Sequence, residues 1–374
     1  MCDSIRVWNW KNIKRFLRII SYPLFIRGAP LVENPKEVVL YFQSVILFAT
    51  FESCLYDIFD FIDFFLKYWN KTKVLMSSYL YTQFALIPIT SSLFLLRRKR
   101  IIKFVRNLFA SLPVDQQKTF LTNALILTAL SMVVTVSKSC YNVYFFTKNK
   151  EQNFKNIIRF IVHGYFVDRD LIFWSVVTYF IFLNLLKVVC VHVLRKVKEQ
   201  LMSIEDSDCE VVLNHLARVW KYIVEFDKIF SLLPFLWILY NFIAASATFN
   251  RPPDKVLRMK LLFLFNNVCV MFMVVYIPRI RDILRKEASE ITNLLSFKYN
   301  LLNHEPRTLL SIHWHLNNIS CMKMTAWKFF PFERSLILSF TATVMTFTVL
   351  FLKLTKDNPD IDWLRCMYAK VWTK

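Results

Sequence analysis

Seven long runs of apolar residues, separated by polar segments rich in Lys and Arg, organise this chain. Each run has about 18 residues or more, enough for a helix to cross the hydrocarbon core of a bilayer. A segment inside lipid must satisfy its own backbone hydrogen bonds, so these runs are predicted to be helices. The predicted spans are residues 38–57, 74–96, 120–137, 171–194, 229–249, 261–278 and 335–352. The pattern therefore predicts an all-α membrane protein, a single domain built as a seven-transmembrane helix bundle.

The distribution of positive charge predicts the orientation of the bundle. With the N-terminus in the cytoplasm, 29 of the 48 Lys and Arg residues fall in cytoplasmic segments and 18 in external ones. Basic residues favour the cytoplasmic side, and the basic cluster at 97–100 directly follows the second span. The prediction is a cytoplasmic N-terminus, an extracellular C-terminus and cytoplasmic loops at 97–119, 195–228 and 279–334.

The two longer cytoplasmic loops carry apolar residues at helical spacing. Residues 195–200 extend the fourth span, and further helices are predicted over 213–226, 280–295 and 307–330. Such amphipathic helices would pack on one another below the membrane. The bundle is therefore expected to have cytoplasmic helical extensions.

Composition supports the membrane assignment and excludes several classes of enzyme. Hydrophobic residues make up 56% of the 374 residues and charged residues 20%, against about 45–50% and about 25% in soluble domains. The chain has two glycines, too few for a phosphate-cradling loop or a dinucleotide fingerprint. No CxxC, HExxH or GxSxG motif occurs. We therefore expect no enzyme activity, no cofactor and no metal site.

The net charge of +21 is spread between the spans. Basic residues beside a membrane contact anionic lipid headgroups, whereas nucleic-acid binding needs a basic face on one folded surface. The scattered pattern predicts membrane lipid as a partner and no nucleic acid.

Polar and aromatic residues within the spans are the candidates for a small-molecule pocket. Such pockets are mostly apolar with a few placed polar groups, and ionisable residues inside the membrane are costly to bury. Glu52 lies deeper in the first span than the acidic residues after it. The predicted pocket residues are Glu52, Trp174, Tyr179, Trp237, Tyr240, Asn241, Asn266 and Asn267.

The last span resembles the C-terminal signature of insect gustatory receptors. That signature is Thr-Tyr, five mostly hydrophobic residues, then Gln-Phe. Thr346, Phe347, Lys353 and Leu354 occupy the four marked positions at the same spacing, and Thr346 is identical. The seven spans, the cytoplasmic N-terminus and the long loop before the last span agree with the same family.

The resemblance implies a ligand-gated cation channel, assembled as a homo- or hetero-tetramer with related subunits in the plasma membrane of a sensory neuron dendrite. The seventh helices would surround one pore, lined near its gate by Thr346, Phe347, Val349, Leu350 and Lys353. A small tastant would bind in the outer bundle of each subunit. Sugar-sensing members tend to carry Glu where this chain has Thr348, so the expected ligands are non-sugar, bitter compounds.

Lys353 departs from the family, which has Gln at that position near the gate. A ring of lysines in a cation pore opposes cation entry. The side chain could extend to the headgroup region, its pKa could fall, or the subunit could work only beside others that carry Gln. Our hypothesis is the third.

Two other classes of membrane protein have seven or more apolar spans. A G-protein-coupled-type chemoreceptor would have the opposite orientation. A secondary transporter usually shows paired repeats and helices broken by Gly or Pro at the midplane, whereas this chain has an odd span count, and only Pro88 and Pro234 interrupt span interiors. We rank the channel first and the transporter last.

Overall fold

The computed structural model describes most of the chain from residue 71 to residue 349. The described residues are 71–148, 170–203, 209–239, 257–299, 306–322, 324–326, 330–333 and nine positions between 335 and 349. The first predicted span, 38–57, lies outside the described residues, and so do residues 240–249 of the fifth predicted span.

Six continuous helices make up nearly all of the described residues. They are α1 Lys71–Ala110, α2 Val114–Lys148, α3 Asp170–Ser203, α4 Cys209–Phe230, α5 Leu257–Tyr299 and α6 Pro306–Ser320. After a turn at Ser231, residues 232–239 are again helical, and so is every described position between 335 and 349. The predicted all-α class is confirmed.

Several helices run well past the apolar stretches from which they were predicted. α1 contains 74–96 and continues through the basic cluster to Ala110. α5 joins 261–278 to the predicted cytoplasmic helix 280–295 in one helix of 43 residues, with Pro278 inside it. Proline removes one backbone donor, which a long helix packed against its neighbours can tolerate.

The helix predicted over 307–330 is wrong in its second half. α6 ends at Ser320, and a short antiparallel hairpin follows, with Thr325 paired to Pro331 and Ala326 to Phe330. The backbone N–H of Phe332 donates to the carbonyl of Met324 at 2.9 Å. The apolar residues here fit helical spacing, but β-branched and aromatic residues also suit strands, and a residue before proline is pushed to extended geometry.

Helix α3 occupies the centre of the described bundle, and α2 its edge. α3 packs against α1, α2, α4 and α5, and its residues Phe182, Leu185 and Leu186 are fully buried. In α2, by contrast, bulky aliphatic residues such as Leu130 and Val133 are exposed. Within the described residues, Val114–Ser137 of α2 and Phe173–Met202 of α3 are long and apolar enough to cross a membrane.

Helices α3 and α5 lie side by side in a constant register. Three side-chain hydrogen bonds join them, and in each the two residues are 92 positions apart: Asn184 with Tyr276, Arg195 with Glu287, and Lys198 with Glu290. The offset does not change between Asn184 and Lys198, a length of about 21 Å at 1.5 Å per residue. The two helices are therefore parallel and aligned over this whole length.

The tight connection between α1 and α2 depends on one buried amide. The Nε2 of Gln117 donates to the carbonyls of Phe109 and Leu112, both at 2.9 Å. Both carbonyls lie at the C-terminal end of α1, where backbone acceptors lack intrahelical donors; the Phe109 carbonyl also accepts from the Leu112 N–H at 3.1 Å. Gln117 is only 1% exposed, so water does not replace it.

Replacing Gln117 by Leu should destabilise the protein by about 1–3 kcal/mol, because the Leu112 carbonyl loses the amide that bonds to it, whereas the Phe109 carbonyl keeps its bond from the Leu112 N–H. The measurement is the thermal unfolding midpoint of the purified protein in detergent. Gln116→Leu is the control. It is the same substitution one residue earlier, at an exposed side chain whose contact with His192 Nδ1 at 3.2 Å is open to solvent. Equal midpoints for the two variants would contradict this role of Gln117.

Candidate functional site

The structure describes five of the thirteen predicted site residues with their side chains. Trp174, Tyr179 and Trp237 are buried, whereas Thr346 and Val349 are exposed. Asn266 and Asn267 lie on α5, but their side chains are outside the described set. The remaining six lie outside the described residues: Glu52, Tyr240, Asn241, Phe347, Leu350 and Lys353.

Two of the predicted pocket residues are brought together in the centre of the bundle. The rings of Tyr179 on α3 and Trp237 are 5.3 Å apart and edge to face. Tyr179 also contacts Phe226 at 5.5 Å and Phe230 at 5.9 Å on α4. Edge-to-face pairs of this kind add about 0.5–1.5 kcal/mol to the burial of the rings. These rings form a closely packed aromatic cluster at the contact between α3, α4 and the helical residues 232–239.

The last helix exposes one face in the isolated chain. Eight of its nine described positions are exposed, and Leu336 is half-buried. Residues three and four apart share one helix face, and a stripe at that spacing carries small or hydroxyl-bearing side chains along most of its length. The stripe consists of Ser335, Ser339, Ala342, Thr346 and Val349.

The threonines of this exposed face bond to their own helix. Thr343 Oγ1 donates to the carbonyl of Ser339 at 2.7 Å, and Thr346 Oγ1 to that of Ala342 at 2.8 Å. The hydroxyl hydrogen is thus satisfied, while each oxygen keeps a lone pair that can accept a further bond. The face can therefore pack against a neighbouring helix or line a wet surface.

A carboxylate on α4 holds the hairpin that precedes the last helix. Asp227 Oδ1 accepts from the backbone N–H of Thr325 at 2.8 Å, and Oδ2 accepts from the Thr325 hydroxyl at 3.0 Å. Hydrogen bonds to a charged group are stronger than those between neutral groups. Only nine residues separate Thr325 from the first described helical position, Ser335. Asp227 thus ties the hairpin before the last helix to α4.

The same end of α4 is joined to α1 by an arginine. The Nη1 of Arg97 donates to the carbonyl of Ile229, two residues after Asp227. Partial burial, and secondarily the charge of Arg100, lower the pKa of Arg97. Because Ser231 interrupts the helix here, the Ile229 carbonyl is near the helix end, where backbone acceptors lack intrahelical donors.

A polar cluster between α3 and α5 was not among the predicted site residues. The Tyr276 hydroxyl donates to Asn184 Oδ1 at 2.7 Å, and Lys187 Nζ lies 5.8 Å above the Tyr276 ring. Phe180 packs on the same ring at 4.5 Å. The sequence shows that α3 and α5 each carry a polar residue within an apolar span. Which of these residues contact each other depends on how the two helices are aligned, which the sequence does not show.

Two ion pairs lie along the same line of contact between α3 and α5, hereafter the α3–α5 seam, nearer the C-terminal ends of the two helices. Arg195 Nε lies 3.2 Å from Glu287, and Lys198 Nζ lies 2.6 Å from Glu290. The hydrogen bond from Lys198, together with its charge, lowers the pKa of Glu290 below the ordinary value of 4.5. The described residues contain no group of three His, Cys, Asp or Glu side chains able to hold a metal ion.

The fold is that of solved insect olfactory receptors. Two structures of the olfactory receptor OR5 from Machilis hrabei superpose on it. The one in complex with eugenol has a TM-score of 0.65, 10% identity, and coverage of 93% of this chain and 98% of the receptor. The other has a TM-score of 0.67, 12% identity, and coverage of 94% and 100%. No protein-family model matches the chain, and no curated protein matches it.

Disrupting the Asp227–Thr325 contact should destabilise the protein through one identifiable interaction. In a double-mutant cycle of Asp227→Asn and Thr325→Val, we expect a coupling free energy within the about 0.5–3 kcal/mol range of contacting pairs. Unfolding midpoints of the wild type, both single variants and the double variant supply it. Glu225→Gln, two residues earlier on α4, is the control for lost charge. Additive effects of the two substitutions would contradict the proposed contact.

The Lys198–Glu290 pair should make stability fall in acid. The folded state lowers the pKa of Glu290, so the unfolded state binds the proton more readily. The contribution of the pair is present above pH 4.5 and is lost as the pH falls through the lowered value. Unfolding midpoints measured from pH 7 to pH 3.5 should fall less for Glu290→Gln than for the wild type. Glu210→Gln, at an exposed position, should follow the wild-type curve.

Proposed function

We propose that this chain is a subunit of a ligand-gated cation channel of the gustatory type, which responds to small non-sugar, bitter compounds at the plasma membrane. Four subunits, identical or related, would assemble around one pore. The fold shared with an insect olfactory receptor supports a chemoreceptor over an enzyme. That receptor's complex with eugenol supports a small organic molecule as the ligand.

The observation that carries the proposal is the exposed face of the last helix. α2 presents bulky aliphatic side chains such as Leu130 and Val133, as a surface in contact with lipid does. The stripe from Ser335 to Val349 presents mostly small and hydroxyl-bearing groups, with the larger Leu338 and Met345 exposed beside it. Small residues let helices approach closely within a membrane, and hydroxyl oxygens can face water or a hydrated ion. The stripe is therefore suited to close contact with other subunits and to a pore.

The contacts around Asp227 supply a route from a ligand in the bundle to the pore. Tyr179 and Trp237, both in the predicted pocket set, contact each other, and Tyr179 packs on Phe226 and Phe230. Asp227 lies between these two phenylalanines in sequence and holds Thr325. A shift of α4 on ligand binding would move the hairpin and with it the start of the last helix. Coupling of two sites needs such a shared element.

The remaining predicted site residues keep their roles as proposals. Glu52, Trp174, Tyr240, Asn241, Asn266 and Asn267 would complete the ligand pocket, and Phe347, Leu350 and Lys353 the gate. Lys353 is seven positions after Thr346 in sequence, a separation that equals two turns of an α-helix. The charge at this position is the reason to expect that the subunit conducts beside partners carrying Gln.

The proposal is tested by cysteine accessibility during recording. The chain is expressed in cells, alone and with related subunits, and currents are recorded against a panel of bitter compounds. We expect a ligand-evoked cation current. In Thr346→Cys, a water-soluble cationic thiol reagent should reduce that current by half or more, because residue 346 faces the pore.

Leu130→Cys is the matched control, because Leu130 is also exposed in the isolated chain but would face lipid. The reagent should leave its current unchanged. Loss of current in both variants would point to a nonspecific effect. An unreactive Thr346→Cys, or receptor responses without any ligand-evoked current, would overturn the channel assignment.

A further inference from the structure

We propose that Lys187 and Arg279 form a binding site for the phosphate headgroup of an anionic phospholipid of the cytoplasmic leaflet, in the seam between α3 and α5. The inference rests on the membrane-spanning part of the proposed function, but not on conduction or on any taste ligand.

The register of the two helices places these cations at one level. Lys187 and Arg279 are 92 positions apart in sequence, the same offset as the three observed contacts between α3 and α5. The contact between Asn184 and Tyr276 lies one turn before them, and Tyr276 is also three residues from Arg279 on one face of α5. Lys187 Nζ is already directed over the Tyr276 ring, 5.8 Å from its centre.

The level of this pair matches the cytoplasmic edge of the membrane. Arg279 is the first residue after the predicted sixth span, 261–278. On the α4 side, the basic cluster after the second span begins at Arg97, which bonds to the Ile229 carbonyl. The next residue, Phe230, packs on Phe182 of α3 at 5.4 Å. α3 therefore reaches the headgroup region near Lys187, well before the predicted end of its span at residue 194.

The charge balance along the seam favours an anion at this level. Further along α5, each acidic group has a cationic partner: Asp282 pairs with Arg281, Glu287 with Arg195 and Glu290 with Lys198. In the part of the chain that the structure describes, no carboxylate forms an ion pair with Lys187 or Arg279. Two like charges held close together repel each other. A phosphate between them would remove that repulsion and add charge-assisted hydrogen bonds, for which the guanidinium of Arg279 is well shaped.

The surroundings of the pair suit a lipid better than a soluble anion. Arg279 is exposed, and Val275, one turn earlier on the same face of α5, is 51% exposed. The surface beside the seam is therefore cationic at Arg279 and apolar at Val275, one turn closer to the centre of the membrane. A phospholipid places its headgroup and its acyl chain in the same order.

The test measures lipid retention on the purified full-length protein. Protein in detergent is supplemented with phosphatidylglycerol or with phosphatidylcholine, and native mass spectrometry counts the bound lipids. We expect the wild type to retain the anionic lipid in preference to the zwitterionic one. Lys187→Gln/Arg279→Gln should reduce that preference at least fivefold. Lys187→Arg/Arg279→Lys, which keeps both charges, should retain most of it and shows that any loss is not a folding defect.

Lys196→Gln/Lys286→Gln is the matched control. It removes two exposed cations from the same two helices and should leave the preference unchanged. An equal loss in this control would mean that general charge, and not this pair, holds the lipid. Unchanged retention in Lys187→Gln/Arg279→Gln would overturn the site. Inorganic phosphate should not displace the lipid at millimolar concentration; full displacement would indicate a soluble anion as the true ligand. None of these outcomes depends on whether the protein conducts.

Discussion

The parallel register between α3 and α5 is the constraint on which most of the described structure depends. Inside hydrocarbon each helix satisfies its own backbone, so backbone bonding cannot align one helix with another. Alignment must come from side chains, and here it comes from a hydrogen bond within the apolar part and two ion pairs beyond it. With α3 fixed against α5, the other helices pack on a central element whose position is already determined.

Apolar packing and polar contacts have different tasks in this bundle. The buried rings around Tyr179 join α3 to α4 and to the residues after Ser231, and they supply cohesion without directional bonds. Direction comes from a few charged groups at the ends of the apolar segments. Arg97 ties α1 to α4, and Asp227 ties α4 to the hairpin. These polar contacts therefore join α1, α4 and the hairpin that precedes the last helix.

The two exposed apolar surfaces are chemically different, and that difference bears on function. The outer face of α2 is made mostly of bulky aliphatic residues, whereas the last helix exposes serine, alanine and threonine together with Leu338, Met345 and Val349. Both surfaces lack a partner within the described residues of one chain, but only the first is what hydrocarbon alone would favour. The fold in which this contrast occurs is that of solved insect olfactory receptors.

The sequence by itself determined that the chain is helical, and which segments are apolar, because the length and composition of each run leave lipid-compatible helices as the main solution. It also singled out Tyr179 and Trp237, although not their contact with each other. It could not distinguish strand from helix around Thr325, where aromatic and β-branched residues fit both periods. Only the tertiary structure decided that Asp227 holds Thr325 and that Lys187 lies level with Arg279. Those pairings join residues about 90 or more positions apart, and no local pattern carries the register between two helices.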